Sequence, residues 1–158
     1  VNLCRENPAP LNWEQLEKRT ALTEAQNYSS PLFQYARQFA EADEILVAAP
    51  YWDLTFPSVL RVYFEHTSII GVTFKYSPEG LPIGLCKAKR IIYVTTAGGT
   101  IGGNNLGYDY IKTLAGTFYG IKNVLCFKAE NLDSEGVNAD CILQDTMKEI
   151  ENSDFSIL

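Results

Sequence analysis

Residues 42–57, Ala-Asp-Glu-Ile-Leu-Val-Ala-Ala-Pro-Tyr-Trp-Asp-Leu-Thr-Phe-Pro, join an apolar run to a loop of aromatic and polar residues. Ile45 to Ala49 is unbroken apolar, the pattern of a strand covered by helices on both faces. Pro50 ends the run because proline brings no amide hydrogen to a sheet ladder. Pro50, Tyr51, Trp52, Asp53 and Leu54 are therefore expected at the carboxyl edge of a parallel sheet, where open α/β folds bind ligands.

The flanking segments repeat the alternation. Ser30 before Pro31 gives a capping hydroxyl and a first-turn proline, and Leu32, Phe33, Ala36, Phe39 and Ala40 recur at helical spacing. Pro57 opens a second helix, with Leu60, Tyr63 and Phe64 on its buried stripe and its end near Gly71. Gly71 to Lys89 is expected as a hairpin: Thr73 to Tyr76 as one strand, Ser77-Pro78-Glu79-Gly80 as the turn, and a return through Leu85. Arg90 to Thr95 is a second buried strand, and it closes in Thr96-Ala97-Gly98-Gly99, a second loop of small residues. A helix over Tyr108 to Phe118 closed by Gly120, a strand over Asn123 to Phe127 and an amphipathic helix over Val137 to Ile150 complete the series. At the other end, Val1 to Cys4 alternates like the end of a strand, and Arg5 to Leu11, with Pro8 and Pro10, is expected as extended loop. Strands alternating with helices mean βαβ units, right-handed crossovers and a parallel sheet.

Composition narrows the class. The chain has 158 residues, 46% hydrophobic and 20% charged, which fits one domain over 1–158 with no repeat, linker or low-complexity stretch. A net charge of −6 argues against nucleic acid, whose binding depends on Lys and Arg neutralising phosphates. No apolar stretch approaches the roughly 20 residues of a membrane span, and no basic and apolar leader opens the chain, so a cytoplasmic protein is expected. Cys4, Cys86, Cys126 and Cys141 lack any paired short spacing, which points to separate reduced thiols rather than a metal site. His66, the single histidine, is expected as a polar residue near a helix end.

Two adjacent strand ends with small and polar loops can place several backbone amides and an aromatic ring around a flat, hydrogen-bonding ligand. A flavin ring fits, its pyrimidine edge meeting amides while Tyr51 or Trp52 lies against its face. Other roles stand beside this one: Asp53 as a general base, Thr95 and Thr96 as plain strand ends, Trp52 as a core aromatic. Gly98 to Gly107, rich in glycine, suits either a mobile cover for the ligand or a flexible connector.

Ala-Pro-Tyr-Trp-Asp-Leu-Thr-Phe-Pro at 49–57, Gly-Val-Thr-Phe-Lys-Tyr at 71–76, Lys-Ala-Lys-Arg at 87–90, Thr-Thr-Ala-Gly-Gly at 95–99 and Phe-Tyr-Gly-Ile at 118–121 resemble, in order and spacing, the FMN-dependent NADH-azoreductases. These belong to the flavodoxin-like NAD(P)H:quinone oxidoreductases. The resemblance implies a three-layer α/β sandwich and FMN as cofactor, held by Pro50, Tyr51, Trp52, Asp53, Leu54, Thr96, Ala97, Gly98 and Gly99. It also implies Phe74, Phe118 and Tyr119 near the substrate, and a homodimer whose second subunit helps wall the site. The implied activity is transfer of reducing equivalents from NAD(P)H to quinones or azo compounds by a ping-pong mechanism, with the flavin carrying the chemistry and no catalytic side chain. The rival from another class is a flavodoxin-like electron carrier or a flavin-free binding module.

Three departures accompany the resemblance. Asp53 stands at the family's usual asparagine, Ala97 where many members have arginine, and no first strand with a serine-rich phosphate loop precedes Val1. Either the chain lacks its N-terminal part or the phosphate site is lost. The first is favoured, because a sheet without its central strand leaves backbone groups unpaired.

Overall fold

A computed structural model describes residues 1–153 and 155. In chain order the elements are α1 (Leu3–Glu6), α2 (Trp13–Glu24), a 3-10 turn (Pro31–Phe33) leading into α3 (Gln34–Glu41), β1 (Ile45–Pro50), α4 (Ser58–Thr67), β2 (Phe74–Tyr76) and β3 (Pro82–Gly84). Then follow β4 (Arg90–Thr96), α5 (Leu106–Leu114) continued by a π turn (Ala115–Tyr119), β5 (Asn123–Ala129) and α6 (Ala139–Asn152).

The three long apolar runs form a parallel sheet in the order β1-β4-β5, with Ile45 opposite Ile91 and Ile91 opposite Val124. Side chains alternate across a strand, so Ile45, Val47, Ile91, Tyr93 and Val124 share one face. That face packs with Phe39 of α3, Leu60 and Phe64 of α4 and Ile111 of α5 in the main core. On the opposite face α6 covers β5, but Leu46 of β1 stays 67% exposed. The expectation of a strand buried on both faces therefore holds for β4 and is corrected for β1. Among the described residues β1 pairs only with β4, and its outer edge lines a cavity of about 710 Å³ with Leu3, Phe39, Trp52 and Tyr63.

Two N-terminal expectations are also corrected. Val1 to Cys4 is not a strand end: Leu3–Glu6 is one helical turn, capped by Asn2, whose side chain accepts from the Arg5 amide, and closed by Asn7 at φ 43°. Among the described residues no strand pairs with these four, and their backbone is satisfied within the turn. Beyond the loop lies α2, unforeseen from the apolar pattern. Its signal is a capping box in which Asn12 Oδ1 accepts from the Gln15 amide (2.8 Å) and Gln15 Oε1 accepts from the Asn12 amide (2.9 Å).

Parallel strands joined by helices sort the loops to two ends. Connections leaving β1 and β4 at their carboxyl ends build one edge, while the chain returning from α4 and α5 reaches the other. The hairpin of β2 and β3 lies at that second, amino edge. It packs on the π turn, where a Cβ added to Gly84 would fall 2.2 Å from the Gly120 nitrogen.

Candidate functional site at the carboxyl edge

Pro50 stands opposite Thr96 in the ladder, and the Tyr51 amide donates to the Thr96 carbonyl at 2.8 Å. The two loops expected to share a site therefore lie side by side. The first turns back at once: Trp52 and Thr55 exchange amide–carbonyl bonds of 2.9 and 2.8 Å, with Asp53 at φ 47° and Leu54 at φ 70° between them. Two positive φ angles in a two-residue turn match type I′, which suits Asp at its first position and is strained by Leu at its second. The strain is held from outside by the Leu106 amide, which donates to the Leu54 carbonyl at 3.1 Å. Gly107 makes that approach possible, since a Cβ there would meet Phe56 Cδ1 at 3.0 Å and the Tyr93 hydroxyl at 3.2 Å. Trp52 is 60% exposed, so it is not a core aromatic, whereas the Tyr51 hydroxyl is tied to the Asn104 carbonyl at 3.0 Å.

The second loop is fixed from behind by the residues that follow β5. Leu132, Asp133 and Asn131 donate their amides to the carbonyls of Ala97 (3.1 Å), Gly98 (2.9 Å) and Gly99 (3.1 Å). In a trans peptide the N–H points opposite the preceding C=O, so the amides of Gly98, Gly99 and Thr100 point away from this strap. Among the described residues these three amides find no acceptor. The loop thus presents a row of donors suited to an electron-rich, hydrogen-bonding ring edge.

Beneath the loops, the Thr95 and Tyr93 hydroxyls are buried without a hydrogen-bond partner among the described residues. Burial also pushes the Tyr93 phenol above its ordinary range, so it stays protonated at neutral pH.

Not every expected site residue gathers here. Ala97 is buried, and its amide is already given to the Ala129 carbonyl at 2.8 Å, so it anchors the loop and leaves no free amide of its own. Phe74, Phe118 and Tyr119 sit at the opposite, amino edge of the sheet. Tyr119 is 1% exposed, with its hydroxyl 2.9 Å from both Thr67 Oγ1 and Ser68 Oγ, and desolvation pushes its pKa far above the usual tyrosine value. It is a core residue. Phe74 packs edge-on against Phe118 with ring centroids 4.9 Å apart. Within one chain neither ring reaches the loops.

Glu130, Asn131 and Asp133 escaped the sequence reading, although the rule that singled out the other loops applies to them: they follow an apolar strand at its carboxyl end. His66 has the structural role expected, with Nε2 2.9 Å from the Ala9 carbonyl. Cys86 and Cys126 are partly buried, while Cys4 and Cys141 are exposed.

A parallel sheet with helices between its strands and two adjoining loops at its carboxyl edge defines an open α/β protein of the class that binds ligands at that edge. A family model described as flavodoxin-like fold matches residues 1–153, and the chain belongs to that family. An FMN-dependent NADH:quinone oxidoreductase of Clostridium perfringens (strain ATCC 13124) is 36% identical over 144 residues, which are 89% of this chain and 71% of that protein. A protein of the same name from Coprothermobacter proteolyticus is 31% identical over 156 residues, 96% of this chain and 77% of the relative. Among solved structures, an azoreductase from Bacillus anthracis superposes with a TM-score of 0.79 at 25% identity, covering 94% of this chain and 76% of that one. An FMN-dependent NADH-azoreductase from Bacillus anthracis in complex with FMN, 21% identical, shares the fold at a TM-score of 0.78 over 96% of this chain and 76% of its own.

Proposed function

We propose that this chain binds FMN at the carboxyl edge of its sheet and passes reducing equivalents from NADH to quinones or azo compounds. The observation that carries the proposal is the row of outward amides at Gly98, Gly99 and Thr100 beside the Asp53–Leu54 turn, in a chain whose relatives bear the names above. FMN, when bound, supplies the two-electron chemistry. The protein positions it: the glycine amides meet the polar edge of the ring, the turn amides flank it, and the exposed Trp52 ring offers a face for stacking. Asp53 contributes backbone at this turn, so the exchange of asparagine for aspartate leaves the turn amide in place. Phe74, Phe118 and the hairpin serve the site only from a second subunit. Homodimerisation is supported by Leu81 and Ile83, which are 65% and 43% exposed on that hairpin. One stacking position used in turn by donor and acceptor accords with ping-pong kinetics.

Among the described residues no helix is long and apolar enough to cross a membrane. We place the protein in the cytoplasm, where NADH is available. The test is titration with FMN followed by an NADH:quinone reductase assay. Bound flavin and turnover are expected, and a protein that takes up no FMN refutes the proposal.

A further inference from the structure

We propose that Glu130 is a positioning residue that latches the glycine-rich loop and so sets the direction of the ring-binding amides. The proposal rests on the flavin reading above for what those amides bind, but the latch itself is a property of the chain.

The strap after β5 lies along the loop, and its three amides take the carbonyls of Ala97, Gly98 and Gly99. The Thr100 hydroxyl adds a bond to Asn131 Oδ1 at 2.7 Å. Beyond Thr100 the polarity of the contact reverses. Here the loop donates: the amides of Ile101 and Gly102 both point at Glu130 Oε1, at 2.6 and 3.2 Å. The row of outward donors ends where Glu130 captures these two inward ones. Ile101, buried at 3% exposure, fixes the same point by packing.

The charge of the latch is balanced. Glu130 Oε2 lies 2.8 Å from Lys128 Nζ, so the carboxylate bridges a β5 lysine and two loop amides. Lys128 first, then the two amides, hold the Glu130 carboxyl below the ordinary carboxylate range, which keeps it an acceptor at neutral pH. An unpaired carboxylate behind the donor row would oppose the electron density those donors are meant to receive. Paired with Lys128, it orders the loop without reversing the sign of the site. Hydrogen bonds to ionised groups are stronger than neutral ones, which suits a segment rich in glycine and costly to order.

The experiment compares wild type, Glu130→Ala, Glu130→Gln and Lys128→Gln by amide hydrogen exchange without flavin and by FMN titration. In wild type, Ile101 and Gly102 are expected to exchange slowly. Glu130→Ala should speed both amides at least about tenfold while leaving Ile92 and Val94 of β4 unchanged, and should weaken FMN binding about tenfold. Glu130→Gln retains an acceptor and should restore most of both losses. Lys128→Gln keeps the latch but unbalances its charge, so protection should persist while the potential of bound flavin becomes more negative. Fast exchange at Ile101 and Gly102 in wild type overturns the latch, and so does FMN affinity in Glu130→Ala equal to wild type. If Glu130→Ala does not fold, the wild-type exchange rates and Lys128→Gln decide. If wild type takes up no FMN, the functional proposal fails and the exchange data still judge the latch.

Discussion

Gly98 and Gly99 are adjacent in sequence, yet their substitution should have different consequences. A Cβ on Gly98 would fall 2.1 Å from Asp133 Oδ2 and 2.9 Å from its Cγ, whereas one on Gly99 meets nothing within 4 Å. Valine at 98 must push Asp133 aside and loosen the bond its amide gives to the Gly98 carbonyl. Overpacking of this kind costs about 1–3 kcal/mol. In a protein of this size each kcal/mol moves Tm by about 2–4 °C, so Gly98→Val should lower it by roughly 2–12 °C. Valine at 99 stands in open space, and its effect on stability should stay within about 0.5 kcal/mol. Both variants put a branched side chain in the donor row, so both should bind FMN more weakly. Thermal unfolding without flavin, beside fluorescence titration with FMN, separates the two effects. Adding Asp133→Ala to Gly98→Val should recover much of the lost Tm, because the clashing partner is gone. A Gly98→Val protein with wild-type Tm would mean that Asp133 does not press on the loop, and a Gly99→Val protein with wild-type FMN affinity would remove Gly99 from the donor row.

Tyr119→Phe removes a buried hydroxyl bonded to Thr67 and Ser68 and should cost about 1–2 kcal/mol in denaturant unfolding with FMN affinity unchanged. A change in affinity without loss of stability would restore Tyr119 to the site. Leu81→Lys on the exposed hairpin should convert the proposed dimer to monomer in light scattering and reduce quinone turnover; a dimer of undiminished stability would place the interface elsewhere. Burial pushes the Cys86 thiol up to about 12, so it stays protonated and poorly nucleophilic at pH 8. Exposed Cys4 and Cys141 should therefore be alkylated well before Cys86, and equal rates on peptide mapping would contradict the packing around it.

Elements whose signals are local were legible in the residues alone. Apolar runs closed by Pro50 and by Thr96 to Gly99 announced the strands, Ser30-Pro31 and Pro57 announced helix starts, and two strand ends announced the site. Local signals were present but weaker at Asn12 to Gln15 and at Glu130 to Asp133, where polar residues carry the structure through backbone hydrogen bonds rather than apolar periodicity. The family resemblance set Phe74, Phe118 and Tyr119 near the substrate, but a chain-wide motif carries no information about which edge of the sheet each residue reaches. That depends on how the helices return across the folded sheet. Because every crossover helix runs against its strands, residues before β4 and before β5 fall at the amino edge, and Tyr119 is drawn into the core. The orientation of the glycine amides was likewise beyond the sequence. It follows from which carbonyls the strap after β5 takes, and that pairing exists only once β4 and β5 lie side by side.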